Sequence, residues 1–171
     1  VSLSGGVTVY NEDVRLWTNG EVPFAFDAKL SEASKVKVLR AISEFTEKTS
    51  IRFFQYTDKD KDFLVFSPSE ELCASYVGRI GGAQPIFLKP ECGQTEIMHE
   101  LMHALGFIHE HQRDIRDQFI AVNYNNIQDD KLINFDIFPS SFQNMYRNSN
   151  EIDTKSIMIY SSKAFVKNPS L

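Results

Sequence analysis

One stretch of the sequence, HELMHALGFIH at residues 99–109, contains three of the chain's four histidines. Residues four apart on an α-helix project from one face, about 6 Å apart along the axis, so His99 and His103 can bind the same metal ion. Gly106 permits a left-handed residue that ends the helix, and the chain can then bring His109 back as a third ligand. Three imidazole nitrogens and one open position are typical of a catalytic zinc site.

Glu100 lies one position beyond the first histidine, where it is turned away from the ligand direction. A carboxylate there suits a proton acceptor acting on water better than it suits a further ligand. The five-letter core of the pattern also arises by chance in ordinary helices, where histidines are simply packed or solvated. The extended pattern, with its glycine and third histidine at fixed places, is far more specific, and it favours the metal site.

The pattern HExxHxxGxxH is similar to the zinc signature of the metzincins, and its continuation EHQR at residues 110–113, followed by RD at 116–117, resembles the astacin family in particular. Further similarities lie along the chain between residues 16 and 160. They are LW at 16–17 with VPF at 22–24, CASYVGR at 73–79 with GAQ at 82–84, and SIMIY at 156–160, which resembles the family's Met-turn.

The resemblance implies a zinc endopeptidase in which Glu100 takes a proton from water and passes it to the departing amine. It implies that Met158 packs beneath the metal and that Tyr160 is an additional zinc ligand that swings aside to stabilise the oxyanion. It also implies that Glu110 pairs through water with the buried amino terminus of the activated enzyme. The substrates would be proteins or peptides that lie extended along an edge strand, with the zinc at the bottom of a cleft.

The two cysteines, Cys73 and Cys92, could by themselves be buried thiols, zinc ligands or a disulfide. The resemblance implies a secreted enzyme, made as a precursor whose propeptide covers the zinc, and one disulfide is expected in that setting. The family's second disulfide cannot form with two cysteines. The first residues lack a signal-peptide pattern, so we expect any targeting segment to have been removed.

Length and composition predict one monomeric, soluble domain that buries a sizeable core. The chain has 171 residues, a 42% hydrophobic fraction and a net charge of −5, and its longest apolar runs are far too short to span a bilayer. Without a basic cluster, neither nucleic acid nor an anionic membrane is an expected partner.

Periodicity and the resemblance together predict an α+β, zincin-like fold. It has a twisted, mostly parallel or mixed sheet, two long helices including the active-site helix, and an irregular C-terminal part. The whole chain, 1–171, would form one catalytic domain, with an upper part at about 1–109 and a lower part at about 110–171. The predicted strands are 7–10, 22–27, 51–56, 63–66, 74–77 and 85–88, and the predicted helices are 31–48, an active-site helix capped by Thr95, and a short helix within 127–138.

Three other polar residues have no clear role in the sequence. His111 is expected to be exposed or hydrogen-bonded, and Arg147 and Lys155 are candidates for a positive pocket wall, although solvation is the simpler expectation for both. Two other functions are compatible with the motif: a catalytically silent astacin-like module that holds a peptide, and a zinc hydrolase of another substrate class, such as an amidase. The presence of all the reacting groups argues against the first, and the extended resemblance argues against the second.

Overall fold

The structure is a computed structural model that describes residues 15–143, 146 and 149–170. The predicted strand at 7–10 and the candidate Arg147 lie outside these residues. Contacts divide the chain into two compact units, with the boundary between Phe107 and Ile108. We call the described residues 15–107 the sheet unit and those from 108 onwards the loop unit.

The sheet unit contains five strands in the order β2-β1-β3-β5-β4. The first three pairs are parallel, and β4 runs antiparallel to β5 at one edge. Buried side chains alternate with half-buried ones along β3 and β5, as expected for strands that place one face on a core. The strands are β1 (Glu21–Phe26), β2 (Arg52–Gln55), β3 (Phe63–Pro68), β4 (Ala74–Ser75) and β5 (Ala83–Leu88).

Two helices accompany this sheet, α1 (Glu32–Lys48) and α2 (Gln94–Leu105). Helix α1 begins where the Ser31 hydroxyl accepts a hydrogen bond from the Ser34 backbone N–H at 3.1 Å, which confirms the predicted N-cap. Its buried face presents Val38 and Ile42 to the apolar core. The three-residue apolar repeat that predicted this helix marks the buried face only in part, because Ile42 and Phe45 are buried whereas Val36 and Leu39 are 48% and 47% exposed. A strict three-residue spacing drifts around a helix that has 3.6 residues per turn.

Cys73 and Cys92 are bonded to each other, with their Cα atoms 6.2 Å apart. Both are almost completely buried within the apolar core of the sheet unit. Among the three alternatives that the sequence leaves open, the disulfide is therefore the correct one.

Short 3₁₀ helices dominate the loop unit, and the short helix predicted within 127–138 is one of them, over Asp129–Phe135. Leu132 and Phe135 point inwards while Ile133 is 64% exposed, so the segment lacks the continuous apolar stripe that stabilises an α-helix. The other short elements are Glu110–Gln112, Arg116–Gln118, Tyr124–Asn126 and α3 (Ser140–Gln143).

This architecture confirms the predicted fold class: a mostly parallel mixed sheet, two long helices and an irregular C-terminal part. Within the described part of the chain, no helix is long and apolar enough to cross a membrane.

Candidate metal centre

Helix α2 carries the first half of the motif, and its start differs from the prediction. Gly93, rather than Thr95, is the N-cap, and the Glu96 carboxylate accepts a hydrogen bond from the Gly93 backbone N–H at 3.0 Å. A Cβ atom at Gly93 would lie 2.7 Å from that carboxylate, so a larger residue there would displace the Glu96 side chain from its hydrogen bond. The sequence favoured Thr95 because threonine is a common N-cap residue. In the structure, the Glu96 side chain instead accepts the hydrogen bond from the backbone N–H of the N-cap residue Gly93.

The end of α2 matches the prediction. Gly106 has a φ of 111°, in the left-handed region, and its N–H donates to the carbonyl oxygen of His103. The Phe107 N–H then donates to the Met102 carbonyl at 3.0 Å, so two terminal carbonyls of the helix are satisfied. The chain leaves the helix directly before His109.

Each of the three motif histidines is at most 5% exposed. The ring centroids of His99 and His103 lie 4.6 Å apart, with the ring planes nearly perpendicular. Possible ligand atoms of His99, His103 and His109 all lie within 4.8 Å of one another, so they form a cluster that can bind a metal ion. Buried nitrogen ligands at this mutual distance suit a transition metal such as zinc better than calcium or magnesium, which prefer oxygen.

Hydrogen bonds orient two of these rings for metal binding. The Nδ1 atom of His103 lies 2.8 Å from the Phe107 carbonyl oxygen, and the Nδ1 atom of His109 lies 2.7 Å from Oε1 of Gln112. Because both partners are acceptors, each Nδ1 carries the proton and the lone pair of the neutral ring is on Nε2. A second bond of this kind is the usual support of a metal-binding histidine.

Glu100 is buried beside the two helical histidines and is 4% exposed. Burial raises the pKa of its carboxyl to about 8, while a hydrogen bond from the backbone of Ser75 in β4 lowers the pKa in part. A cation held by the neighbouring imidazoles would also favour the ionised form. Burial thus opposes ionisation of this carboxyl, whereas the Ser75 backbone and a nearby cation favour ionisation.

The segment 156–160 forms a tight turn in the loop unit. The hydroxyl of Ser156 accepts a hydrogen bond from the Met158 N–H, and the Met158 carbonyl accepts one from the Glu110 N–H at 2.9 Å. Met158 is 1% exposed and is therefore a buried residue of this unit. The turn leads to Tyr160, whose ring centroid lies 4.7 Å from that of His109.

Two residues that follow the third histidine are buried; the expected contact of Glu110 stays a prediction, and His111 is hydrogen-bonded, which is one of its two expected alternatives. Glu110 is buried and pairs with Arg113, with a distance of 2.9 Å between Nη1 and Oε2; the amino terminus expected near it lies outside the described residues. His111 is 3% exposed, so the option of a solvent-exposed side chain is wrong, and its Nε2 lies 3.1 Å from the Asn134 carbonyl oxygen. Lys155 is exposed to solvent, which was the simpler of its two expected roles. It also lines a cavity of about 420 Å³ together with Glu110 and Arg113.

Arg116 is the functional-site neighbour whose role the sequence did not indicate. Its buried guanidinium donates to the backbone carbonyls of His111 and Phe135 and to the Tyr124 hydroxyl. The sequence offers two signals: Arg116 belongs to the RD pair at 116–117 that resembles the family, and the run after the third histidine is almost entirely polar although it directly follows the motif. Such a run is normally solvated, so burial of an arginine there could not be inferred.

Comparison with known proteins identifies the family. The model of the Astacin peptidase family matches residues 9–171. Zinc metalloproteinase nas-14 of Caenorhabditis elegans is 36% identical over 157 residues, which cover 90% of this chain and 31% of that protein. Zinc metalloproteinase nas-12 of the same organism is 37% identical over 164 residues, covering 94% of this chain and 41% of that protein.

Among solved structures, high choriolytic enzyme 1, a hatching enzyme zinc-protease from Oryzias latipes (medaka fish), matches with a TM-score of 0.80 and 28% identity. The match covers 97% of this chain and 82% of that one. This chain spans less than half of the length of the two nematode relatives. The resemblance seen in the sequence is thus confirmed over nearly the whole chain, and the chain belongs to the astacin family of peptidases.

Proposed function

We propose that this chain is the catalytic part of a secreted, zinc-dependent endopeptidase that hydrolyses internal peptide bonds of proteins. The observation that carries the proposal is the cluster of three buried histidines with Glu100 beside it, in a chain of the astacin family. The relatives named as zinc metalloproteinases support zinc as the metal. Residues 1–171 would act as one catalytic domain.

His99, His103 and His109 would hold the zinc ion through their Nε2 atoms. When bound, zinc supplies Lewis acidity, which favours hydroxide near neutral pH and polarises the carbonyl of the scissile bond. The hydrogen-bond acceptors on Phe107 and Gln112 support the proposal, since their oxygens fix the tautomers that metal binding needs.

Glu100 would act as the general base. Its carboxylate accepts a proton from the attacking water and passes it to the departing amine, a role typically worth about 10²–10⁴ in rate. Its burial supports this, because a carboxyl in a low-dielectric site can both accept and release a proton near neutral pH.

Tyr160 would stabilise the negative charge that develops on the carbonyl oxygen, and it is a possible additional metal ligand. Its buried ring beside His109 supports a place near the reacting atoms. A phenol O–H is a hydrogen-bond donor of the kind that stabilises an oxyanion.

Several features of the whole protein belong to the same proposal. The substrates would be proteins or extended peptides, and a propeptide would cover the zinc in the precursor. The disulfide between Cys73 and Cys92 supports an oxidising, extracellular compartment. We propose a monomer that binds neither nucleic acid nor membrane.

Cleavage of an unstructured protein, with and without a zinc chelator, tests the function. We expect chelation to abolish cleavage and added zinc to restore it. Glu100→Gln should keep its zinc but lose cleavage by about 10²-fold or more, because the base is removed while the imidazoles remain. The matched variant His109→Ala should lose zinc as well. A wild-type chain that binds zinc and peptides but cleaves neither proteins nor peptides would indicate a binding module instead.

A second variant separates catalysis from metal retention. Tyr160→Phe should lower kcat by about 10²–10³-fold with little change in KM or zinc content, because an oxyanion donor acts mainly in the transition state. A variant with wild-type kcat would reduce Tyr160 to packing, and a variant that loses zinc would make it a structural ligand.

A further inference from the structure

We propose that His111 is a positioning residue that holds the ring of Tyr160 in its working orientation. The inference rests on the proposed function of Tyr160 and adds a residue that neither the motif nor the comparisons assign. His111 is the one histidine of the chain outside the metal cluster.

The rings of His111 and Tyr160 pack closely. Their centroids lie 4.1 Å apart with 32° between the ring planes, so the two rings overlap at a moderate tilt. Phe135 and Phe165 meet Tyr160 edge-on at 5.7 Å and 5.6 Å. Among the described aromatic neighbours of Tyr160, His111 is therefore the closest and the most nearly parallel.

The imidazole of His111 also stacks on the ring of His109, the proposed third metal ligand. The centroid of His111 lies 5.1 Å from that of His109, with 29° between the planes. His111 thus contacts both the proposed third ligand and the proposed oxyanion donor. Because the His111 ring contacts both, it constrains the distance between the His109 ring and the Tyr160 ring.

His111 is itself held at both ends. Its Nε2 bonds to the Asn134 carbonyl oxygen, and its own carbonyl accepts a hydrogen bond from the Arg116 guanidinium at 2.8 Å. The same guanidinium also donates to the carbonyl of Phe135, the residue after Asn134. Backbone and side chain of His111 are consequently fixed to one segment of the loop unit.

A cavity beside Tyr160 provides space for its ring to move. A cavity of about 710 Å³ in the loop unit is lined by His111, Phe135 and Tyr160, together with small and β-branched residues such as Val122 and Ala164. Without the flat face of His111, the tyrosine ring can turn into the enlarged space. The phenol O–H would then spend less time where the reaction needs it, and kcat would fall while substrate affinity is kept.

Two variants divide the contributions of His111. His111→Gln removes the ring but retains an N–H donor that can reach the Asn134 carbonyl, and His111→Phe retains a ring but loses that donor. Phe138→Leu is the matched control, because it reduces a buried aromatic of the same unit that packs against Phe142. If the flat face positions Tyr160, the glutamine variant should fail and the phenylalanine variant should be close to wild type.

The first readout needs no turnover. With 3-fluorotyrosine placed site-specifically at position 160 of the zinc-loaded chain, the ¹⁹F resonance should lie away from that of the free amino acid because of the adjacent rings. In His111→Gln it should move most of the way to the free value, and in His111→Phe and Phe138→Leu it should stay near wild type. An unchanged resonance in His111→Gln, or an equal shift in His111→Phe, would overturn the proposal.

The second readout is kinetic coupling. His111→Gln should lower kcat by about 10-fold in the wild-type background, a part of what loss of an oxyanion donor costs, and by less than about 2-fold in the Tyr160→Phe background. Equal losses in both backgrounds would show that His111 does not act through Tyr160. Absence of any cleavage by the wild-type chain would refute the proposed function, and the ¹⁹F readout would still decide the role of His111.

Discussion

The sheet unit and the loop unit are stabilised by different kinds of side chain. A continuous cluster of buried apolar residues, from Trp17 to Leu105, fills the sheet unit, whereas the described apolar cluster around Tyr160 in the loop unit is small. The loop unit instead buries charged side chains, of which Arg113 and Arg116 are at most 4% exposed. Apolar packing tolerates small changes in shape, but a buried charge depends on a particular partner, so conservative substitutions should affect the two units unequally.

The largest effect on stability is expected from Arg113→Met. The Arg113 guanidinium donates to the Glu110 carboxylate and to the carbonyls of Ser149 and Glu151, all at 2.6–2.9 Å. Its loss leaves a buried carboxylate without its cation, which typically costs about 3–5 kcal/mol. Urea denaturation would measure the loss, and hydrogen exchange by mass spectrometry should assign it to peptides of residues 108–170.

Two controls sharpen this comparison. Ile86→Val, at a completely buried site of the sheet unit, should cost only about 0.5–1.5 kcal/mol. Combining Arg113→Met with Glu110→Gln should cost less than the sum of the two single changes, because the uncompensated charge is then absent. If Arg113→Met costs no more than Ile86→Val, the contrast between the units is wrong.

The same contrast explains how far the sequence predicted the structure. In the sheet unit, the alternation along Phe63–Pro68 reflects burial against one apolar core, and the repeat in Glu32–Lys48 predicted the helix although it matches the buried face only in part. In the loop unit, the backbone is held by side chains such as Arg116 that bond to distant carbonyls, and such bonds leave no periodic signal. The sequence therefore predicted a short helix there but not its 3₁₀ type.

The candidate site follows the same rule. Spacing on one helix was enough to predict that His99, Glu100 and His103 would lie together, because the geometry of an α-helix is fixed. The burial of His111 depends on the segment that ends at Phe135, more than twenty residues further along, and a single sequence does not indicate that contact. Local geometry was predictable, and contacts made through the loop unit were not.

Removing the disulfide is the next largest expected effect. Replacing both Cys73 and Cys92 by serine should destabilise the sheet unit by about 3 kcal/mol. The two cysteines are 19 positions apart, and without the bond the unfolded chain gains the conformational entropy that the closed loop removes. Trp17, the single tryptophan, is buried and donates from Nε1 to the Ala104 carbonyl, so its fluorescence reports unfolding of this unit. A titration of the wild-type protein that finds two free thiols per chain under denaturing, non-reducing conditions would show that the disulfide does not form.

The smallest effect is expected at one of the ion pairs of the sheet unit, and its dependence on pH tests the contrast between the units. Asp62 pairs with Arg79 at 2.6 Å, but the two side chains are 24% and 26% exposed, against 10% and 3% for Glu110 and Arg113. Water screens this pair more strongly, so Arg79→Met should cost only about 1 kcal/mol or less.

The hydrogen bond from the Gly82 backbone N–H lowers the pKa of Asp62, with a further lowering from Arg79, relative to an ordinary value of 3.8. Because the folded-state pKa lies below the unfolded one, the ionised carboxylate stabilises the fold above about pH 3.8, and this contribution is lost as the pH falls towards the folded-state value.

Asp62→Asn should therefore be less stable than wild type at pH 7 and should lose less stability on acidification. Arg79→Met keeps the Gly82 bond, which is the larger cause, so it should retain most of the wild-type dependence on pH. Urea denaturation of the three proteins between pH 7 and pH 2 measures this, and equal acid dependence of wild type and Asp62→Asn would show that the carboxylate contributes nothing through its charge.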